Sequence, residues 1–83
     1  MVVSPGSRSA PLAYAVAAAE EAGALVAHVR VDERVAAFTA LGIAKASRLP
    51  VGLVCTSGTA LGEYLPAVME AYHAGVPLAI MSA

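Results

Sequence analysis

Polar and apolar positions alternate with two different periods along the chain, and the switches between them mark the elements. Met1 to Val3 has the character of a strand, and Ser4-Pro5-Gly6-Ser7 that of the turn after it. Ser9 is placed to cap a helix, Pro11 is tolerated in its first turn, and the alanine-rich run to Glu21 favours helix until Gly23 closes it. From Leu25 to Val31 the pattern becomes two-residue, with Leu25, Ala27, Val29 and Val31 on one face and His28 and Arg30 on the other. This predicts a strand.

Asp32 then caps a second helix, with Glu33 in its first turn, where negative charge suits the helix dipole. Between Arg34 and Lys45 only Thr39 is polar, so this helix is expected to be covered on most sides. Pro50 opens a strand over Val51 to Thr56 whose almost unbroken apolar character predicts burial on both faces. After Ser57-Gly58-Thr59, the residues Leu61, Leu65, Val68 and Tyr72 form a helical stripe opposite Glu63 and Glu70. Pro66 within it implies a kink or a later helix start, and Gly75 with Pro77 ends the helix. Leu78 to Met81 begins a last strand.

The resulting β-α-β-α-β-α-β order predicts an α/β fold, a mostly parallel sheet with helices on both faces. In such sheets ligands bind beyond the carboxyl ends of the strands. Three turns fall there and hold most of the polar chemistry of the chain: Ser4 to Ser9, Asp32-Glu33-Arg34, and Thr56 to Thr59.

Composition changes the picture in one respect. The 83 residues are 59% apolar and 13% charged, more apolar surface than so small a body can hide. An exposed apolar patch seeking a partner is expected, as for part of a larger α/β enzyme. A membrane span is not, because Leu49 to Gly62, the longest uncharged stretch, is broken by Pro50, Gly52, Ser57 and Gly58. No basic start precedes an apolar run as in a signal peptide. The net charge of −1 without basic clusters argues against nucleic acid. Cys55 is alone, reads as a small core residue, and fits a reducing cytoplasm.

The candidate chemistry is open on these grounds alone. Arg8 has a planar fork suited to carboxylate or phosphate, although the chain pattern by itself favours a solvated arginine beside a capping serine. Glu33 is either a charge complementing a helix start or a catalytic carboxylate. Thr56-Ser57-Gly58-Thr59 lacks a Walker lysine, and no G-x-G-x-x-G or G-x-S-x-G is present. Gly58 leaves room for a flat ligand to approach backbone. His28 and His73 have no metal-ligand spacing.

Several segments carry a more specific signal in combination. V-S-P-G-S-R-S-A-P (Val3 to Pro11), V-D-E-R (Val31 to Arg34), A-L-G-I-A-K-A-S (Ala40 to Ser47), V-C-T-S-G-T-A (Val54 to Ala60), P-A-V-M-E-A (Pro66 to Ala71) and H-A-G-V-P-L (His73 to Leu78) occur in order. Together they resemble the 2-succinyl-5-enolpyruvyl-6-hydroxy-3-cyclohexene-1-carboxylate synthase family, thiamine-diphosphate enzymes of menaquinone biosynthesis. The resemblance covers nearly the whole chain. It departs from the family at Leu61-Gly62-Glu63-Tyr64, where small and amide residues are expected.

The resemblance implies that residues 1–83 are part of a pyrimidine-binding domain, truncated at both ends. It implies an enzyme that uses thiamine diphosphate with Mg2+ or Mn2+ to decarboxylate 2-oxoglutarate and add the four-carbon unit to isochorismate. Glu33 matches the catalytic glutamate that bonds a ring nitrogen of the aminopyrimidine. Ser7 and Arg8 match substrate-site residues, and Thr56, Ser57, Gly58 and Thr59 match the turn beside the pyrimidine. The family works as homo-oligomers with cofactor at the subunit interface, in the cytoplasm. The diphosphate domain that carries the metal lies outside these residues, so the chain by itself is expected to be inactive. Another thiamine-diphosphate carboligase or decarboxylase, and a non-catalytic oligomerising module, are the alternative expectations.

Overall fold

The computed structural model describes residues 1–83 throughout. Eight elements follow in order: β1 (Val2–Val3), α1 (Ala10–Glu21), β2 (His28–Val29), α2 (Glu33–Ser47), β3 (Val51–Cys55), α3 (Thr59–Gly62), α4 (Leu65–Ala74) and β4 (Leu78–Ser82). The four strands form one parallel sheet in the order β2-β1-β3-β4. Chain direction across the sheet therefore reverses once: β1 leads outward to β2, and β3 leads outward the other way to β4. The switch point lies between β1 and β3.

The pleat sorts the core into two layers, because successive strand residues face opposite ways. Val2, Val51, Leu53 and Cys55 point to the face covered by α2, α3 and α4, where they meet Ala36, Ala37, Ala40, Ala44, Ala60, Tyr64 and Ala67. Val3 and Val54 point to the opposite face and meet Val16 of α1. The alanines of α2 recur at helical spacing, and their short side chains let the helix axis lie close to the sheet. Helices thus cover both faces, as the alternating pattern predicts.

The helix ends are built largely as the sequence indicates. Asp32 Oδ1 accepts the backbone N–H groups of Arg34 (2.8 Å) and Val35 (3.4 Å) at the start of α2. Gly23 and Gly75 take positive φ after α1 and α4. Paired bonds Ala24 N–H to Ala19 O and Gly23 N–H to Glu20 O close α1 in a Schellman arrangement, repeated after α4 by Val76 to Ala71 and Gly75 to Tyr72. The exception is α2, which ends on Arg48 in the left-handed region at φ 60°.

Four expectations are corrected. The second strand is two residues long instead of spanning Leu25 to Val31, because it is an edge that pairs only with the equally short β1, leaving Val29 and Val31 exposed. Ser9 occupies the cap position of α1, but its hydroxyl donates backward to Gly6 O (3.0 Å) and caps nothing. Helix α2 buries one face only, with Val35 and Phe38 outside.

The stripe Leu61, Leu65, Val68 and Tyr72 is displaced by one position. Ala60, Tyr64, Ala67 and Ala71 are the buried residues, while Tyr72 is 81% exposed. Pro66 breaks the chain into α3 and α4, but the buried residues keep helical spacing across the break, and the face that turns inward is the one whose mostly small residues can lie close against the sheet. The larger apolar residues then stand outside, together with Met69 and Ile80. No helix is long and apolar enough to cross a membrane.

Candidate functional site

Because all four strands are parallel, the loops after β1, β2 and β3 emerge on one edge of the sheet. By topology, the switch point between β1 and β3 marks the crevice on that edge where such sheets take ligands. The loop after β1 and the turn after β3 meet across it. Gly6 lies so close to Thr56 that a β-carbon built on Gly6 would stand 2.5 Å from Thr56 Cβ. Ser9 holds the Gly6 carbonyl from below, which fixes the loop at this point of contact.

The proposed site residues all lie on that edge. Ser7 and Arg8 are exposed on the loop after β1, directly before α1. Glu33 is the first residue of α2, half-buried, its backbone set by the Asp32 cap. Thr56 and Ser57 are half-buried after β3, and Gly58 and Thr59 are exposed. Gly58 takes φ +78°, with nothing within 4 Å of where a side chain would begin. No hydrogen bond within the chain engages the side chains of Ser7, Arg8, Glu33, Thr56, Ser57 or Thr59. Their donors and acceptors are unspent within the chain.

Beneath this rim lies a buried polar group that the sequence pattern does not indicate. Ser4, Cys55 and Tyr64 are each fully buried. The Tyr64 hydroxyl donates to Val54 O (3.0 Å), which also receives the Ser4 backbone N–H (2.9 Å). Ser4 Oγ has no hydrogen-bond partner of its own. Burial pushes the Tyr64 phenol well above its ordinary range, with the neighbouring Cys55 and the Glu33 carboxylate adding in the same direction. Burial likewise raises the Cys55 thiol, partly opposed by its contact with Tyr64 and reinforced by Glu33. The Glu33 charge is thus felt at the floor of the crevice. The only sequence signal for Tyr64 is that it is the one large residue in the series Ala60, Tyr64, Ala67, Ala71.

What this arrangement offers is a carboxylate, a nearby glycine turn and an arginine fork, with neutral groups below. No group of three or more His, Cys, Asp or Glu side chains is placed to hold a metal ion. A flat, nitrogen-bearing ring fits such a donor set better than a cation does.

The family description "Thiamine pyrophosphate enzyme, N-terminal TPP binding domain" matches residues 1–83. The chain belongs to this family. Curated relatives agree along their whole overlap. The chain is 61% identical over 83 residues to 2-succinyl-5-enolpyruvyl-6-hydroxy-3-cyclohexene-1-carboxylate synthase of Paenarthrobacter aurescens (strain TC1), 63% to that of Kineococcus radiotolerans and 55% to that of Mycobacterium sp. (strain KMS). The whole chain is covered in each case, and it spans about 15% of each relative's length. The parallel α/β architecture is what a thiamine-pyrophosphate N-terminal domain requires of these residues.

Proposed function

We propose that the chain is the pyrimidine-binding part of a 2-succinyl-5-enolpyruvyl-6-hydroxy-3-cyclohexene-1-carboxylate synthase, acting on 2-oxoglutarate and isochorismate with thiamine diphosphate. The observation that carries this reading is the position of Glu33. Its carboxylate stands at the start of α2, half-buried, free of intrachain partners and electrostatically in reach of the crevice floor. A carboxylate so placed can accept a hydrogen bond from a protonated ring nitrogen and hold an aminopyrimidine in one tautomer.

The other residues serve the same end. The backbone of Thr56, Ser57, Gly58 and Thr59 would line one side of the ring, since Gly58 puts no side chain in its way. Arg8, with Ser7, would grip a substrate carboxylate bidentately. When bound, thiamine diphosphate supplies the electron sink for decarboxylation and carbon–carbon bond formation, and the protein supplies position and electrostatics. The Mg2+ or Mn2+ and the diphosphate would be held by another part of the enzyme, the diphosphate domain that the family resemblance implies.

Residues Val35 and Phe38 support a homo-oligomer. They are 48% and 45% exposed on the outer face of α2, in the helix that Glu33 opens, where a second subunit would cover them and enclose the cofactor. A biosynthetic enzyme of this kind would work in the cytoplasm. The identities of 55% to 63% to relatives with one name favour this synthase over other thiamine-diphosphate carboligases.

The test is Glu33→Gln in the complete enzyme, with deuterium uptake at the thiazolium carbon of the bound cofactor as readout. Loss of the carboxylate is expected to slow uptake by about 100-fold or more, the scale of positioned acid–base catalysis. Undiminished uptake contradicts the role of Glu33. Absence of product from isochorismate and 2-oxoglutarate, with exchange intact, instead points to another carboligase of the family.

A further inference from the structure

Of the features the proposed function leaves unused, the buried Tyr64 is the most informative. It interrupts an otherwise small-residue face, and it lies in the stretch Leu61 to Tyr64 where the chain departs from the residues the family resemblance implies. Its hydroxyl donates to Val54 O at 3.0 Å and sits beside the Ser4 and Cys55 side chains. That carbonyl belongs to the last turn of strand before the Thr56 turn, and it also accepts the Ser4 N–H, the bond that joins the carboxyl end of β1 to β3. One oxygen therefore gathers three elements: β3, the start of the loop after β1, and the break between α3 and α4.

Two residues beyond Val54 and two beyond Ser4 stand Thr56 and Gly6, whose contact forms the crevice rim. We propose that Tyr64 is a positioning residue, whose hydroxyl sets the separation of the two rims of the crevice through Val54 O and so fixes the Thr56 to Thr59 turn for the cofactor ring. This rests on the assignment of the crevice to an aminopyrimidine. The hydroxyl is not needed to keep Val54 O satisfied, since the Ser4 N–H remains when it is removed. The fold can therefore survive its loss while the rims relax.

The experiment uses the complete enzyme. Tyr64→Phe keeps the ring and removes only the donor. The dissociation constant for thiamine diphosphate with Mg2+, measured by calorimetric titration, is expected to rise about three- to tenfold, the equivalent of one modest hydrogen bond. The loss should fall on affinity, not on the turnover reached at saturating cofactor. Gly62→Ala adds a methyl in open space on the neighbouring α3 and keeps both bonds to Val54 O, so affinity is expected to stay within about twofold.

A lower apo unfolding midpoint with unchanged cofactor affinity would show a purely structural tyrosine, because stability alone does not alter the affinity of the folded state. That result overturns the proposal, as does no change in either quantity. If the wild-type enzyme itself binds no thiamine diphosphate, the assignment of the crevice fails and the role of Tyr64 falls with it, an outcome distinct from a defect confined to the variant. Should Tyr64→Phe not fold, hydrogen exchange on the wild type decides. Cofactor is expected to slow the amides of Ser4 and of the Thr56 to Thr59 turn together, and protection of the turn with Ser4 unaffected contradicts the shared anchor.

Discussion

Gly6 and Thr56 stand closer than any side chain at position 6 would permit, with Thr56 Cβ 2.5 Å and Cγ2 2.7 Å from the place of a Gly6 β-carbon. The threonine is β-branched, so it has little rotamer freedom with which to move aside. Gly6→Ala must push the two rims of the crevice apart. The expected cost is about 1–3 kcal/mol of stability, the range for overpacked sites, read from denaturant unfolding. Cofactor affinity of the complete enzyme should fall as well, while an alanine at Gly62, with open space around it, should not disturb the crevice.

Asp32 governs how Glu33 is presented. Its Oδ1 holds the N–H groups of Arg34 and Val35 and so sets the first turn of α2. Asp32→Ala is expected to cost about 1 kcal/mol, as for other lost caps, and to lower turnover because the turn bearing Glu33 frays. Asp32→Asn keeps an acceptor oxygen and should retain most of both. Thermal unfolding and steady-state assays of the complete enzyme check the pair.

Arg48 ends α2 with φ 60°, a conformation that costs a residue with a Cβ roughly 1 kcal/mol. Glycine relieves that strain, though it surrenders a positive charge near the helix carboxyl end. Arg48→Gly is expected to raise stability by about 0.5–1 kcal/mol net, visible as a higher unfolding midpoint. A lower midpoint would mean that the charge outweighs the backbone strain.

The buried Cys55 and Tyr64 predict alkaline sensitivity, and the sign follows from the direction of their shifts. Both groups hold their protons more tightly in the folded chain than when exposed, chiefly because burial disfavours their anions. The stability this provides is complete below the ordinary thiol value of 9.0 and declines as pH rises past it, more steeply past the ordinary phenol value of 10.0. Unfolding midpoints measured from neutral pH upward should fall accordingly. Tyr64→Phe should flatten the upper part of the decline and Cys55→Ala the lower part.

Much of this architecture can be read from the chain itself, and the exceptions have specific causes. Element order, the parallel sheet, the Asp32 cap and the glycine stops follow from local chemistry that acts within a few residues. The stripe on α4 misleads because Leu61, Leu65 and Tyr72 are larger and more apolar than Ala60, Ala67 and Ala71. Size and hydrophobicity do not reveal that close approach to the sheet favours the face of smaller residues. The length of β2 depends on its partner, since Val29 and Val31 alternate correctly but only two residues of β1 are there to pair with.

The crevice divides in the same way. The turns holding Ser7, Arg8, Glu33 and Thr56 to Thr59 are recognisable because each follows a strand signal. The Tyr64 bond to Val54 O joins residues ten apart across two elements, and no periodic pattern encodes it.

The two-residue β1 also bears on how the chain acquires its structure during synthesis. Val2 and Val3 pair on one side with His28 and Val29 and on the other with Leu53 and Val54, so both neighbours are made later than the strand they flank. A ribosome delivering these residues releases β1 before either of the strands that flank it. Until Leu53 and Val54 emerge, an apolar segment waits without its main ladder, the situation in which nascent parallel sheets are most open to misassociation and to chaperone capture.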